Sequence, residues 1–327
     1  MKEVAFYHKE DDNLICDVCP QHCRIEEGQP GICRGRQRYG DKLIAVNYAQ
    51  AASLAVDPIE KKPLYHFMPG SVILSVGANG CNLQCLFCQN SDISQGKVPT
   101  SNLPVAELVN LAKDRGSVGV AFTYSEPLIW YEYVLDASRE LHNSGSVSVL
   151  VTNGFIEEKP LKQLLPHIDA MNIDLKSIDD DFYKRLCKAR LEPVQRTIRQ
   201  AFEAGVHVEI THLVVTGWND NADNISRLVS WIASVDPDIP LHLSRYFPRY
   251  HFDKPFTSEK FLSEALSTAR KELNYVYLGN IAGGDGSHTT CPQCHALVVE
   301  RLGYATNVQG LDGSKCSECG FLLPFRR

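Results

Sequence analysis

The 327-residue chain has no apolar run approaching the ~20 residues that a membrane-crossing helix requires. Its opening, Met1-Lys2-Glu3, leads into a polar stretch with Glu10, Asp11 and Asp12, which lacks the apolar segment of a secretory signal. Neither sign of charge dominates. A formal net charge of −6 provides no global attraction to nucleic acid or anionic lipid and leaves room only for local basic patches. Together these absences predict a cytoplasmic protein in a reducing compartment, where disulfides are rare.

Against that background the chain is rich in cysteine. Its 12 cysteines are grouped: Cys16, Cys19, Cys23 and Cys33 near the start, Cys81, Cys85 and Cys88 in the middle, and Cys291, Cys294, Cys316 and Cys319 near the end. Cys187 stands apart and reads as a buried apolar residue. Close C-x2-C pairs without an export signal favour metal over disulfide, so three thiolate sites are expected.

The central group lacks something as well. Gly80-Cys-Asn-Leu-Gln-Cys-Leu-Phe-Cys-Gln-Asn90 places three thiols in a C-x3-C-x2-C loop with Phe87 before the last, and no histidine lies within the run. Structural zinc closes with four protein ligands, and iron–sulfur clusters usually take four cysteines. Three thiolates leave one metal position for a small molecule. The competing reading is a zinc knuckle that borrows a fourth ligand.

The two flanking groups each have four thiols. In the amino-terminal one, Pro20, Gly28, Pro30 and Gly31 imply loop wrapped around a centre, with His22 as a spare donor. Zinc or an auxiliary Fe–S cluster would both suit it. In the carboxy-terminal one, Cys291-Pro-Gln-Cys294 and Cys316-Ser-Glu-Cys319 have zinc-ribbon spacing. The Pro- and charge-rich segment 57–70 reads as a crossing linker, with Lys61, Lys62 and His66 as exposed loop charge.

From residue 71 onward, buried-type strands alternate with helical patterns: Val72–Val76, Val118–Thr123, Val147–Val151, Ala170–Leu175, Val206–Val215, Pro240–Leu243 and Tyr275–Leu278. Ser101, Asn102 and Pro104 are expected to start the first helix. The alternation predicts βαβ units and a parallel sheet. Six or seven repeats are too few for a closed eight-fold barrel. The expected fold is therefore α/β, a partial (β/α)6 TIM-like barrel at 71–280. An N-terminal Cys-rich module with linker (1–70) and a zinc-ribbon-like C-terminal module (281–327) flank it. Ligands in such folds gather at the C-terminal ends of the strands. Cys81, Glu126, Asn153, Asp174, Lys176, Thr211 and His212 all fall there. Singly, Glu126 could be a helix-start carboxylate, Thr152-Asn153-Gly154 a turn and Lys176 a surface charge; their shared rim favours one site.

These residues carry a resemblance. Cys81-x3-Cys85-x2-Cys88 with Phe87 resembles the signature of radical S-adenosylmethionine (SAM) enzymes, and its surroundings are similar to the pyruvate formate-lyase activating enzyme branch. Over nearly its full length, including Asp57-Pro-Ile-Glu-Lys-Lys-Pro-Leu-Tyr-His-Phe67 and both four-Cys groups, the chain looks closer to the AmmeMemoRadiSam-system radical SAM proteins. The resemblance implies a [4Fe-4S] cluster on Cys81, Cys85 and Cys88, with its open iron chelated by the amino and carboxylate groups of SAM. It further implies reductive cleavage of SAM to a 5′-deoxyadenosyl radical that abstracts hydrogen from a substrate. Glu126 in Thr123-Tyr-Ser-Glu-Pro127 would meet the methionine ammonium. Asn153, Lys176 and the neighbouring Asp174 would line ribose and carboxylate, and the Phe87 backbone would meet adenine. An electron donor such as flavodoxin or ferredoxin is implied, along with Memo-type and AMMECR-type protein partners. Two departures count against a glycyl-radical activase: Val151 stands where an Asp is common, and Ser244-Arg-Tyr-Phe247 replaces Leu-Pro-Tyr-His. The rival from another class is a non-catalytic multi-zinc binding module, touching RNA through the ribbon and Arg326-Arg327.

Overall fold

The computed structural model describes residues 2–281 and 285–327, so 282–284 at the start of the expected C-terminal module lie outside them. An eight-stranded sheet dominates. Its strands are β1 (Ser53–Pro58), β2 (Val72–Gly77), β3 (Gly119–Phe122), β4 (Val147–Thr152), β5 (Ala170–Asp174), β6 (His207–Val214), β7 (Leu241–Arg245) and β8 (Val276–Gly279). They lie side by side in chain order, β2 to β8 parallel and β1 antiparallel to β2. Since β1 and β8 remain edges, the sheet is a partial barrel.

Parallel strands are covered on both faces, so their sequences run continuously apolar. In β3, Val120, Ala121 and Phe122 are each fully buried. Gly119 is required there, because a Cβ would lie 1.9 Å from the Val147 carbonyl oxygen. Six helices provide the crossovers: α1 (Val105–Asp114), α2 (Tyr131–Asn143), α3 (Glu158–Leu164), α4 (Leu191–Glu203), α5 (Ala222–Val235) and α6 (Glu259–Ala269). In α4, Val194, Ile198 and Ala201 recur at the helical period and are fully buried against the sheet. Among the described residues, no helix is long and apolar enough to cross a membrane.

Ser101 and Asn102 do not start α1. They pair antiparallel with Gln50–Ala51, and the helix begins at Val105 with no side-chain cap. Pro104 accounts for this, since the residue before a proline is pushed toward extended backbone.

The segment 57–70 also differs from expectation. Lys62 is buried and ion-paired to Asp57 at 2.7 Å, and Lys61 meets the same carboxylate at 2.8 Å. Burial works against the Asp57 charge. Hydrogen bonds from Lys61, Lys62 and Tyr124 outweigh it and hold the carboxyl well below its usual range. His66 is fully buried, stacked on Phe325 and within 2.5 Å of the Tyr277 hydroxyl. The stretch is a packed strap under the barrel. Strand β1 runs into it, overlapping at Asp57 and Pro58, and belongs to the barrel sheet although it lies before residue 71.

The chain ends pack on different parts of this frame. Two small antiparallel sheets built from residues 2–45 hold the amino-terminal cysteines. At the other end Thr289–Thr290, Leu297–Leu302 and Ala305–Val308 form a three-stranded sheet whose core includes Tyr65, Tyr275, Tyr277 and Phe325. Buried Arg301 donates to the Tyr65 carbonyl at 2.6 Å and to Thr289 at 2.8 Å. Next to it, the buried Glu209 carboxylate is bonded by the His66 N–H and by His207 and His242. The barrel is thus plugged at the start of its strands, which leaves the opposite rim for a ligand.

Candidate active site

Cys81 lies four residues beyond β2, Glu126 four beyond β3, Asn153 one beyond β4, Asp174 at the end of β5 and Lys176 two further on. These positions share one end of a parallel sheet, so short loops bring them together. The Asn153 amide donates to Cys81 Sγ at 3.6 Å and to Asn82 Oδ1 at 2.8 Å. Asn82 in turn donates to the Phe155 carbonyl at 2.7 Å, locking the cysteine loop to the β4 loop. The Leu83 N–H also points at Cys81 Sγ, at 3.3 Å, and the Ser94 hydroxyl sits 3.0 Å from Cys88 Sγ. N–H and O–H groups aimed at sulfur stabilise thiolate and tune a metal bound there.

Glu126 is 2% exposed and bonded three ways: by the Thr152 hydroxyl at 2.6 Å, the Asn153 N–H at 2.8 Å and the Leu128 N–H at 3.0 Å. Burial pushes its pKa up to about 7, and the three hydrogen bonds offset part of that rise. The helix-start reading and the site reading both hold for this residue: it caps the turn at Leu128 and also ties β3 to β4. A carboxylate has about four acceptor positions, so one remains for a cation.

Lys176 pairs with Asp174 at 2.9 Å, and its side chain is only 14% exposed. Burial disfavours its charge, yet Asp174, Cys85 and Cys187 hold its pKa well above the ordinary value. The effect is reciprocal at Cys85. Its pKa is lowered first by a hydrogen bond from Cys187 and then, against the cost of burial, by Lys176. Cys81 is raised well above its ordinary value by burial, with Glu126 adding to the rise.

The aromatic ring of Phe87 is buried against Phe182 and Phe252 and anchors the loop. Gln84 and Leu86 donate backbone bonds to the Cys187 and Leu186 carbonyls, both at 3.0 Å. Cys187 is therefore a wall of the cysteine loop as well as a buried residue. Neither its position nor that of Asn82 follows from local spacing; a fully buried odd thiol was the available signal. His212 Nδ1 donates to the Leu175 carbonyl at 2.8 Å, and its buried Nε2 has no partner among the described residues. Burial depresses its pKa to about 4, so the ring is neutral and Nε2 is an acceptor when Nδ1 donates. Thr211 turns to Asn172 at 2.9 Å.

The four ribbon cysteines converge. Cys291 and Cys319 sulfurs are 3.7 Å apart, Cys294 and Cys316 3.6 Å, and all four lie within 4.8 Å of one another. Bonds of 2.3 Å in a tetrahedron require sulfurs about 3.8 Å apart, so the set fits one tetrahedral ion. Among the described residues, no other group of three or more ligating side chains is as tight. Cys81, Cys85 and Cys88 do not form such a tight group.

A model of the radical SAM superfamily matches residues 75–229. The chain is 42% identical to an uncharacterized protein of Methanocaldococcus jannaschii over 98% of both chains. It is 27% identical to the pyruvate formate-lyase-activating enzyme of Clostridium pasteurianum over 161 residues, 48% of this chain and 67% of that one. Among solved structures it resembles a radical SAM methyltransferase from Sphaerobacter thermophilus, with TM-score 0.51 and 17% identity over 68% of this chain and 71% of that one. It also resembles Streptococcus suis SuiB bound to S-adenosylmethionine, with TM-score 0.50 and 16% identity over 64% and 52%. These two likenesses concern the fold. The matched stretch, residues 75–229, resembles the radical SAM superfamily and contains the cysteine loop, Glu126, Asn153 and Lys176, and the chain has pyruvate formate-lyase-activating-enzyme-like relatives. Enzymes of that superfamily use a [4Fe-4S] cluster, SAM and an electron donor. The donor set fits: three buried or half-buried thiols carry N–H and O–H donors and face a lysine.

Proposed function

We propose that Cys81, Cys85 and Cys88 hold the [4Fe-4S] cluster and that the rim beside them seats SAM. Bound there, the cluster would supply the electron that cleaves SAM to methionine and a 5′-deoxyadenosyl radical, which takes a hydrogen atom from the substrate. The chain's own residues bind and orient. Glu126 offers its remaining acceptor position to the methionine ammonium, a charge-assisted bond in a buried setting. Lys176, held in place by Asp174, faces the SAM carboxylate or ribose with Asn153. The Phe87 backbone meets the adenine, and His212 Nε2 adds an unused acceptor. Phe87, Phe182 and Phe252 keep that side of the loop dry. Cofactor and cluster do the difficult chemistry, and the protein supplies position and exclusion of water.

The hydrogen bond from Asn153 to Cys81 carries this reading, because it couples the thiol loop to the loop that Glu126 fixes. The test is anaerobic incubation with dithionite and SAM, followed by chromatography for 5′-deoxyadenosine. Wild type should produce it and Cys85→Ala should not; equal amounts from both would refute the assignment.

Similarity at both ends of the chain supports placement with the AmmeMemoRadiSam-type proteins, hence Memo-type and AMMECR-type partners and a flavodoxin or ferredoxin as donor. Zinc is proposed for the ribbon. The second reading, activation of a glycyl-radical protein, draws on the pyruvate formate-lyase-activating relatives. Val151 and Ser244-Arg245-Tyr246-Phe247 weigh against it. Arg245 in that stretch is committed to Glu259 at 2.7 Å and to the face of Phe256.

A further inference from the structure

The amino-terminal four-Cys group is built unlike the ribbon. Cys16, Cys19, Cys23 and Cys33 line one small, mostly enclosed cavity, which Val18, Ile25, Ile32, Leu128 and Ile129 complete with apolar surface. No three of these thiols are within 4.8 Å of one another, although the ribbon thiols all are. One tetrahedral ion needs sulfurs about 3.8 Å apart, so a zinc ion would require this module to collapse. A cubane spreads its thiolates to four corners and fills the space between them.

The surroundings suit an anionic cluster. Backbone N–H groups of Val18, Gln21 and Ile32 face the sulfurs of Cys16, Cys19 and Cys23. The guanidinium of Arg36, 2% exposed, faces Cys16, Cys33 and Cys19 and is anchored by Glu132 at 2.8 Å. His22, the spare donor, points elsewhere: its ring meets Glu157 at 3.1 Å and Asp17 at 3.5 Å. The four thiols are therefore the ligand set.

We infer that Cys16, Cys19, Cys23 and Cys33 bind a second, fully ligated [4Fe-4S] cluster. With four protein ligands it has no open iron, so it does not bind SAM. It sits directly behind the SAM-type loop. Gln21 donates to the Asn82 carbonyl at 2.8 Å, Arg34 to the Gln95 and Ser94 carbonyls at 2.7 and 3.0 Å, and Asn82 borders the cavity itself. The Cys33 carbonyl oxygen comes within 2.1 Å of where a Cβ on Gly80 would lie, next to Cys81. Only glycine, here at φ +107°, permits that approach.

The test uses the full-length protein reconstituted anaerobically with iron and sulfide, with metals counted and Mössbauer spectra recorded. Wild type should hold ~8 iron and ~1 zinc per chain, and a Cys81→Ala/Cys85→Ala/Cys88→Ala variant ~4 iron with a cubane spectrum. That variant holding ~0 iron and ~2 zinc would overturn the inference without bearing on the assignment of the central loop. A complementary Cys19→Ser/Cys23→Ser variant separates loss of iron by misfolding from loss of a ligand set; it should fall from ~8 to ~4 iron and keep its 5′-deoxyadenosine-forming site. Wild type at ~4 iron and ~2 zinc would overturn the inference independently of either variant.

Discussion

The two ends of the chain each carry four cysteines, and the structure treats them differently. At the carboxy end the sulfurs converge to 3.6–3.7 Å on a knuckle whose turn Gly320 makes at φ +74°. At the amino end they stand back around a cavity beside a buried arginine. Cysteine count is therefore a poor guide to the metal. The separation of the sulfurs, which the packing behind them sets, is the better one. The central loop resembles the amino end in this respect, with one ligand fewer.

The largest effect should come from disturbing the ribbon. Cys316→Ser removes one of four converging ligands, and a small metal site of this kind folds only with its ion. Zinc content should fall to none and limited proteolysis should cut within 289–327, while the barrel retains its far-UV signal. Resistance of the ribbon to protease would contradict a metal-dependent fold.

A smaller effect is expected on the amino-terminal side. Arg36→Ala leaves the Glu132 carboxylate buried without its partner, which should cost about 3–5 kcal/mol in denaturant unfolding. Iron content should fall at this site and stay unchanged at the central loop. A loss below about 1 kcal/mol, the range of an exposed pair, would mean that Arg36 matters little to the module.

At the central loop Glu126 provides a pH test. Its folded pKa of about 7 lies above the ordinary 4.5, so the unfolded chain ionises first and this group's stability contribution declines as pH rises from 4.5 to 7. Binding of an ammonium needs the ionised form. SAM affinity by calorimetry should therefore weaken by up to about tenfold per pH unit below 7, and Glu126→Gln should abolish that slope. A slope that persists in the variant would place the titrating group elsewhere.

The smallest effect is Gly320→Ala. It meets nothing within 4 Å but forces a side chain into left-handed backbone, costing about 1 kcal/mol. Gly31 at the amino-terminal site has no such strain, and its added Cβ would press on Ile25 Cδ1 at 3.2 Å.

The barrel was legible because its strands are continuous apolar runs between turn residues, as Val120-Ala-Phe122 illustrates. The rim was legible because Cys81, Glu126, Asn153 and Lys176 each follow a strand end. Lys62 and His66 were misread as exposed charge. The partners that bury His66, Tyr277 and Phe325, lie more than 200 residues away, and no local pattern announces them. Cys187 was similarly hidden, since only the fold lays it against Cys85. Nor can C-x2-C spacing separate a zinc ion from a cubane, because it fixes neighbours along the chain and not the width of the cavity.

The most direct test of the account is electron paramagnetic resonance of the dithionite-reduced protein before and after SAM. In Cys19→Ser/Cys23→Ser, where only the central loop holds iron, SAM should change the reduced-cluster signal. In Cys81→Ala/Cys85→Ala/Cys88→Ala the remaining signal should not respond. A central-loop signal indifferent to SAM would contradict an open iron at Cys81, Cys85 and Cys88.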